Sequence, residues 1–323
     1  MKILITGGCG FIGSNIANAL TKCGHEVHII DDLSSSLYSN YSNLISLGIK
    51  IYIKKIHDYF FIEKLFHRIK FDLVIHLAAK KNIYESMERP AYYYYENYIG
   101  TKILIEAMIN SKLPNIIFSS TAAVYCNQSE PVTEKSKTHF NNAYAKSKLL
   151  CEDHIRLNER KFKNAFILRY FNPAGCSEDY KFGEDSSKSD NLFSNIIKSL
   201  KTNNEFIIFG NSYNTTDGTC IRDIININSL VDVHKVLVNN LNNKNSFEIF
   251  NIGTNHGVSV KEVVESIKKI LGRNFNYKVG KERNNEVAFS VANSEKYINK
   301  FKNTIRSDID KTCFQVLRFN GII

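Results

Sequence analysis

Tyr144-Ala-Lys146-Ser-Lys148 sets a phenol and an ammonium one helical turn apart, hence on one helix face. Tyr98–Lys102 and Tyr277–Lys281 share that spacing, so the pair alone says little. Only the pair at 144 follows a strand-like run ending in hydroxyls, Asn115-Ile-Ile-Phe-Ser119-Ser120-Thr121. Phenol, ammonium and hydroxyl together can move a proton. A phenol with a pKa of about 10 needs roughly 4 kcal/mol to act as a base near neutral pH. An ammonium roughly 5 Å away returns on the order of 3 kcal/mol at an effective dielectric of about 20. Tyr144 is thus the candidate base toward a substrate hydroxyl and Lys148 the group that lowers its pKa. Thr121 is the candidate partner of the reacting oxygen.

A hydride leaving the same carbon requires a nicotinamide, and the start of the chain offers its cradle. In Lys2-Ile-Leu-Ile-Thr6-Gly7-Gly8-Cys9-Gly10-Phe11-Ile12-Gly13 a buried-strand run enters a glycine turn and then an apolar helix pattern at Ile12, Ile16, Ala19 and Leu20. Gly7, Gly10 and Gly13 suit a turn that lets backbone approach a pyrophosphate at a helix N-terminus. The spacing alone also fits an ordinary strand–turn–helix. The next strand decides, because Glu26-Val-His-Ile-Ile-Asp31-Asp32 ends in an acid where a carboxylate holds the adenosine ribose. No Lys or Arg occurs between Asp31 and Asn43, which favours NAD(H) over NADP(H). Asp58, just past the third strand, is placed either to reach the adenine or to cap a turn or helix.

These residues need a scaffold. Strand patterns at 48–53, 71–79, 115–121 and 166–171 alternate with helix patterns at 60–69, 92–112 and 144–160. That alternation predicts an α/β fold with a doubly wound parallel sheet of Rossmann type. Beyond about residue 175 come a polar segment, a helix at 192–201 and a strand at 206–209. A helix at 229–241, a strand at 248–252, a helix at 259–271, a strand at 275–279 and a last helix at 308–317 follow. The expected division is a NAD-binding domain over 1–175, with parts of 220–250 returning to it, and a substrate lobe over 176–323. That smaller α/β lobe is expected over the carboxyl ends of the strands, where open α/β sheets bind ligands. Tyr92 to Tyr95 cover every side of a helix, so at least one ring should be exposed or lie at an interface.

With 323 residues and 43% apolar content the chain buries a full core unaided. No signal peptide or membrane-length apolar run is read in it. Seven scattered cysteines, never in a C-x-x-C pair, predict free thiols in a reducing cytoplasm. Neither they nor the nine histidines fall at ligand spacing, so no metal is expected. The net charge of +10 is spread along the chain without a basic stripe, which argues against nucleic acid as the partner.

Thr6-Gly-Gly-x-Gly-x-x-Gly13, Ser119-Ser-Thr-Ala-Ala-Val-Tyr125, Tyr144-x-x-x-Lys148 and Arg169-Tyr-Phe-Asn-Pro173 together resemble the extended short-chain dehydrogenases/reductases. Lys81 with Glu85-Ser86, Asn191-Leu192 and Ile208-Phe-Gly-Asn211…Asp217-Gly-Thr-x-x-Arg222-Asp223 narrow the resemblance to the UDP-glucose 4-epimerase family over nearly the whole chain. It implies NAD held tightly through turnover and inversion at C4 of a UDP-hexose through a 4-keto intermediate. The implied cofactor set is Phe11, Ile12, Asp31, Asp58, Lys81, Asn97, Tyr144, Lys148 and Phe171, besides the glycines. The implied UDP-sugar set is Thr121, Asn172, Asn191, Leu192, Ile207, Phe209, Arg222, Arg283 and Glu286. A homodimer is also implied, with helices 92–112 and 144–160 forming a four-helix bundle.

The chain departs from the family pattern at Cys126, usually Gly, and at Asp223-Ile-Ile-Asn226, usually Asp-Tyr-Ile-His; 281–290 diverges throughout. Ser290 falls where glucose-specific members carry a bulky Tyr, which implies room for an N-acetyl group at C2. Rival readings are a nucleotide-sugar dehydratase, a simple reductase and a non-catalytic NAD-sensing protein. A dehydratase requires a carboxylate after the fifth strand, where this chain has Thr121, Ala122 and Ala123.

Overall fold

The structure, a computed structural model, describes residues 1–126, 129–241, 246–283 and 286–323. Asn284 and Asn285, within the divergent 281–290 stretch, lie outside the described residues. β1 (Lys2–Thr6), α1 (Phe11–Lys22), β2 (Glu26–Asp31), α2 (Tyr38–Ser46), β3 (Lys50–Ile53), α3 (Tyr59–Arg68) and β4 (Leu73–His76) alternate without interruption. α4 (Ile83–Glu88), α5 (Pro90–Tyr93), a π-helical segment (Tyr94–Ile99) and α6 (Gly100–Asn110) precede β5 (Asn115–Thr121), α7 (Ala143–Leu157) and β6 (Asn164–Tyr170). The chain continues through β7 (Asn172–Ala174), α8 (Leu192–Thr202), β8 (Phe206–Phe209), β9 (Ile221–Arg222), β10 (Ile224–Asn226), α9 (Ile227–Asn239) and β11 (Ser246–Ile252). β12 (Val258–Ser259), α10 (Val260–Leu271), β13 (Tyr277–Gly280), β14 (Phe289–Ser290), α11 (Glu295–Phe301) and α12 (Ile309–Phe319) complete it.

Two compact units result. One comprises Met1–Val124, Thr138–Arg169 and His234–Phe250; the other comprises Tyr125–Lys137, Tyr170–Val233 and Asn251–Ile323. The first is built on a seven-stranded sheet of order β11-β6-β5-β4-β1-β2-β3, with β1 parallel to both β2 and β4. The strand order reverses beside β1, and a doubly wound sheet opens a crevice at such a point. Ile3, Leu4 and Ile5 of β1 and Val74 and Ile75 of β4 are fully buried. Helices cover both faces, so these strands read as unbroken apolar runs. Burying each such side chain is worth about 1.5–3 kcal/mol.

Sequence analysis expects one helix over 92–112; α5, the π-helical turn and α6 run through that span. Tyr93 is fully buried and donates to Glu85 Oε2 at 2.9 Å, whereas Tyr95 is 52% exposed. A π-turn inside a helix often marks a functional position, and here it carries Asn97. β4 is shorter than the expected 71–79, because the chain leaves the sheet after His76.

In the second unit β8 pairs parallel with β13, β7 with β10, and β9 lies between β12 and β14. Phe193, Ile196 and Ile197 of α8, Val263, Val264 and Ile267 of α10, and Val316 and Leu317 of α12 share one core with Phe206 and Ile208. Ser259 and Glu262 form a capping box at the start of α10, and Asp308 caps α12; each such cap is worth about 1 kcal/mol.

Candidate active site

The glycine turn has no room for side chains. Gly7 has φ +69°, and a Cβ there would meet the Ala78 backbone nitrogen at 2.7 Å. A Cβ on Gly13 would meet the Gly7 carbonyl oxygen at 2.3 Å. Gly10 N donates to that same oxygen at 3.2 Å, and Gly10 then stands as N-cap of α1, with Phe11 and Ile12 as its first residues. Bare backbone at a helix N-terminus fits a pyrophosphate. Asp31, buried at the end of β2, accepts from Cys9 N at 2.9 Å, Leu33 N at 2.8 Å and Ser36 Oγ at 3.1 Å. Its carboxyl is pushed upward by burial, against those hydrogen bonds. These residues fit NAD.

Two contacts at the adenosine end come from the structure. Asp58 accepts from Phe61 N at 3.1 Å as N-cap of α3 and from Lys54 Nζ at 3.2 Å, the capping role being one of the two the sequence left open. The stretch after β2, which holds no cation of its own, receives one from elsewhere: Lys80 Nζ donates to Ser34 Oγ at 2.7 Å. Proximity in sequence could not show that. Asn97 takes Lys80 N on its Oδ1 at 2.7 Å and donates Nδ2 to Lys80 O and to Ser147 Oγ, both at 3.0 Å. The π-turn thereby ties the loop carrying Lys80 and Lys81 to α7.

Asn142 caps α7 by accepting from Ala145 N at 2.8 Å, which starts the helix one residue ahead of Tyr144. Tyr144 hydrogen-bonds Thr121, so the phenol and the hydroxyl stand side by side. Lys148, 3% exposed, donates from Nζ to the Ser119 carbonyl at 2.7 Å and lies 4.7 Å from the centre of the Phe118 ring. Burial lowers its pKa to about 8, with Cys151 and Glu152 opposing the shift. Burial also raises the Tyr144 phenol above its usual value; the Thr121 hydrogen bond and the charge of Lys81 pull it back. Lys81 is thus a cation that favours the ionised phenol, a contribution the sequence reading did not assign. The other two matches of the Tyr-x-x-x-Lys spacing serve elsewhere. Lys102 pairs with Glu106 at 3.8 Å, and the Tyr277 ring lies under the Lys268 ammonium.

The second unit gathers most of the expected nucleotide-sugar residues. Arg222 donates to Glu286 Oε1, and the Arg283 guanidinium lies 3.8 Å from the centre of the Phe209 ring and 4.0 Å from Glu286. Planar guanidinium groups on an aromatic face and a carboxylate suit a diphosphate and ribose. Ser290 stands opposite Arg222 in the β9–β14 pairing. Buried Asp223 fixes that arrangement by accepting from Thr254 N and Oγ1, Asn255 N and Ala292 N. Asn172 donates Nδ2 to the Asp223 carbonyl at 3.0 Å. Ile207 sits in β8 opposite Lys278. Asn191 caps α8 by accepting from Ser194 N, Leu192 is the first residue of that helix, and Phe171 is buried with its N–H on the Ile252 carbonyl at 3.1 Å.

Sequence reading missed Glu152 and its pairing with Arg169, a buried ion pair between α7 and β6; the signal was Tyr144-x-x-x-Lys148-x-x-x-Glu152, which puts the acid on the same helix face. It also missed what Asn226 does: Nδ2 donates to Thr312 Oγ1 at 2.9 Å and Gln315 Oε1 at 2.8 Å, fastening α12. Among the described residues no group of three or more His, Cys, Asp or Glu could hold a metal ion.

Residues 3–253 match the NAD dependent epimerase/dehydratase family. The UDP-glucose 4-epimerase of Lactobacillus helveticus is 34% identical over 299 residues, covering 92% of this chain and 89% of that protein. The solved UDP-glucose-4-epimerase of Stenotrophomonas maltophila, with bound NAD and formylated UDP-arabinopyranose, superposes with a TM-score of 0.94 at 28% identity, covering 100% of this chain and 98% of that one. The UDP-Glc/GlcNAc 4-epimerase of Campylobacter jejuni gives 0.82 at 32% identity, covering 100% and 99%.

Proposed function

The chain belongs to the NAD dependent epimerase/dehydratase family, and on that premise we propose that it is an NAD-dependent 4-epimerase of UDP-hexoses, interconverting UDP-galactose and UDP-glucose. The observation that carries this reading is the hydrogen-bonded pair Tyr144–Thr121 at the end of a strand that continues into Ala122–Val124 without an acid. A dehydratase lacks its proton-handling carboxylate there. When bound, NAD supplies an acceptor that takes a hydride from C4 and returns it.

The chain's own groups do the rest. Gly7, Gly10, Gly13 and the N-terminus of α1 hold the pyrophosphate, and Asp31 holds the adenosine ribose. Tyr144, with its phenol ionised, takes the C4 hydroxyl proton while Thr121 fixes that oxygen, leaving a 4-keto sugar. Lys81 favours the ionised phenol, and Lys148 holds the nicotinamide ribose. Arg222 and Arg283 retain the UDP while the keto sugar turns over, after which Tyr144 returns the proton. The direct test is purified protein with UDP-galactose and no added NAD. UDP-glucose should appear; an unchanged sugar with a protein that takes up no NAD would refute the reading.

Ser290 extends the substrate range to UDP-N-acetylglucosamine, the acetylated sugar named for the Campylobacter relative. Its side chain is small and stands on β14 in register with Arg222, which supports a substrate position with room for the C2 acetamide. Turnover of the acetylated sugar should lie within about tenfold of the plain one, and Ser290→Tyr should lose only the former, since steric exclusion in a pocket removes one substrate and spares its smaller analogue. No conversion of the acetylated sugar by the wild-type protein contradicts this.

The protein works as a homodimer in a reducing cytoplasm. All seven cysteines are free thiols, and among the described residues no helix is long and apolar enough to cross a membrane. On the helical surface Tyr95 is 52% and Leu157 84% exposed, apolar area of the kind an interface covers. Sedimentation should give twice the 37.0 kDa chain mass; a monomer at micromolar concentration would contradict the dimer.

A further inference from the structure

Three consecutive residues at the end of β5 each meet one of three residues spaced four apart on α7. The Ser119 carbonyl accepts from Lys148, Ser120 Oγ donates to Glu152 Oε1, and Thr121 hydrogen-bonds Tyr144. The neighbouring strand β6 adds a second grip on the acid. Arg169 donates Nε to Glu152 Oε1 at 3.0 Å and Nη2 to Oε2 at 2.6 Å. The two side chains are 1% and 3% exposed.

A carboxylate and a guanidinium withdrawn from water this completely add little stability, since well-packed apolar residues often do as well or better. What the pair does fix is geometry, because the bidentate fork admits one orientation. A helical turn advances about 5.4 Å and a strand residue about 3.3 Å, so any slip of α7 along β5 misaligns all three pairings together. We propose that Glu152, held by Arg169 and Ser120, is a positioning residue that sets the register of α7 on β5 and thereby aims Tyr144 and Lys148. This rests on the epimerase reading above.

Glu152 also carries the negative charge that helps keep Lys148 protonated. The other groups around that ammonium are Cys151 on α7, His76 on β4, and the Phe118 ring and Ser119 carbonyl on β5. His76 is held neutral by burial and by Lys148 itself, with a pKa of about 3.

The test compares holoenzyme with Glu152→Gln and with the double variant Glu152→Met/Arg169→Met, which removes both buried charges at once. In both, kcat for UDP-galactose should fall about 100-fold with KM changed by less than about threefold, the signature of misplaced catalytic groups. The alkaline limb of the kcat–pH profile should move to lower pH, and the double variant should melt close to wild type. A double variant with wild-type kcat and an unchanged profile overturns the proposal. Should wild-type protein leave UDP-galactose untouched, the epimerase reading falls instead. Retention of NAD across pH then decides: release at lower pH in the variants supports the positioning role, and identical retention overturns it.

Discussion

Tyr144→Phe should cut conversion of UDP-galactose about a thousandfold while NAD remains bound and melting changes little. In the proposed mechanism the phenol takes the C4 hydroxyl proton, and general-base catalysis typically contributes about 10²–10⁴-fold. Its ring stays in place in the variant, and the hydrogen bond lost to Thr121 is worth on the order of 1 kcal/mol. The acid limb of the wild-type profile carries a second signature. The proton must leave Tyr144 before it can act, and burial raises its pKa, so kcat should climb as pH rises. Lys81→Met removes the opposing charge and should move that limb to still higher pH. A Phe variant retaining a tenth of the rate, or a Met variant with the limb unmoved, contradicts these roles.

Lys148→Met should lose at least about 100-fold in kcat and weaken NAD retention, yet raise the melting temperature of cofactor-free protein. The folded protein lowers this ammonium's pKa from 10.5 to about 8. Its charged form is therefore disfavoured by folding, an effect present in full below about pH 8 that fades as pH approaches 10.5 and both states become neutral. The shift corresponds to on the order of 3 kcal/mol, and losing the hydrogen bond to Ser119 returns about 1 kcal/mol of it. The gain should amount to several degrees at neutral pH and shrink toward pH 10.5. Calorimetry of the two cofactor-free proteins at both pH values checks it. A variant that melts lower, or that keeps its turnover, contradicts the assignment of Lys148 as a strained functional group.

What could be read in the sequence was what local chemistry determines. The glycine turn, the acid ending β2, the hydroxyls ending β5 and the Tyr144–Lys148 spacing all lie within runs of a few residues, and each takes the expected conformation. Strands with both faces covered are as legible, because nothing polar interrupts Ile3–Ile5 or Val74–Ile75. α2 went unread because Tyr38-Ser-Asn-Tyr-Ser-Asn is made of residues that favour turns over helix interiors, and no side chain caps it. α4 is only six residues long, too short for a period to show. Asp58 shows that an acid just ahead of a helix cannot be divided by sequence between capping and binding. The harder losses are long-range. Lys80 reaching Ser34, Lys81 acting on Tyr144 and Arg169 gripping Glu152 join residues that are 46, 63 and 17 positions apart. Such pairings exist only once the sheet order is set.

In the proposed mechanism the hydrogen at C4 leaves and returns without ever entering water, while Tyr144 handles the exchangeable proton on oxygen. UDP-galactose deuterated at C4, incubated with the purified protein in ordinary water and no added NAD, tests this most directly. NMR of the product should show UDP-glucose with the deuterium still on C4. UDP-glucose carrying hydrogen at that carbon would mean exchange with solvent, and would contradict the account.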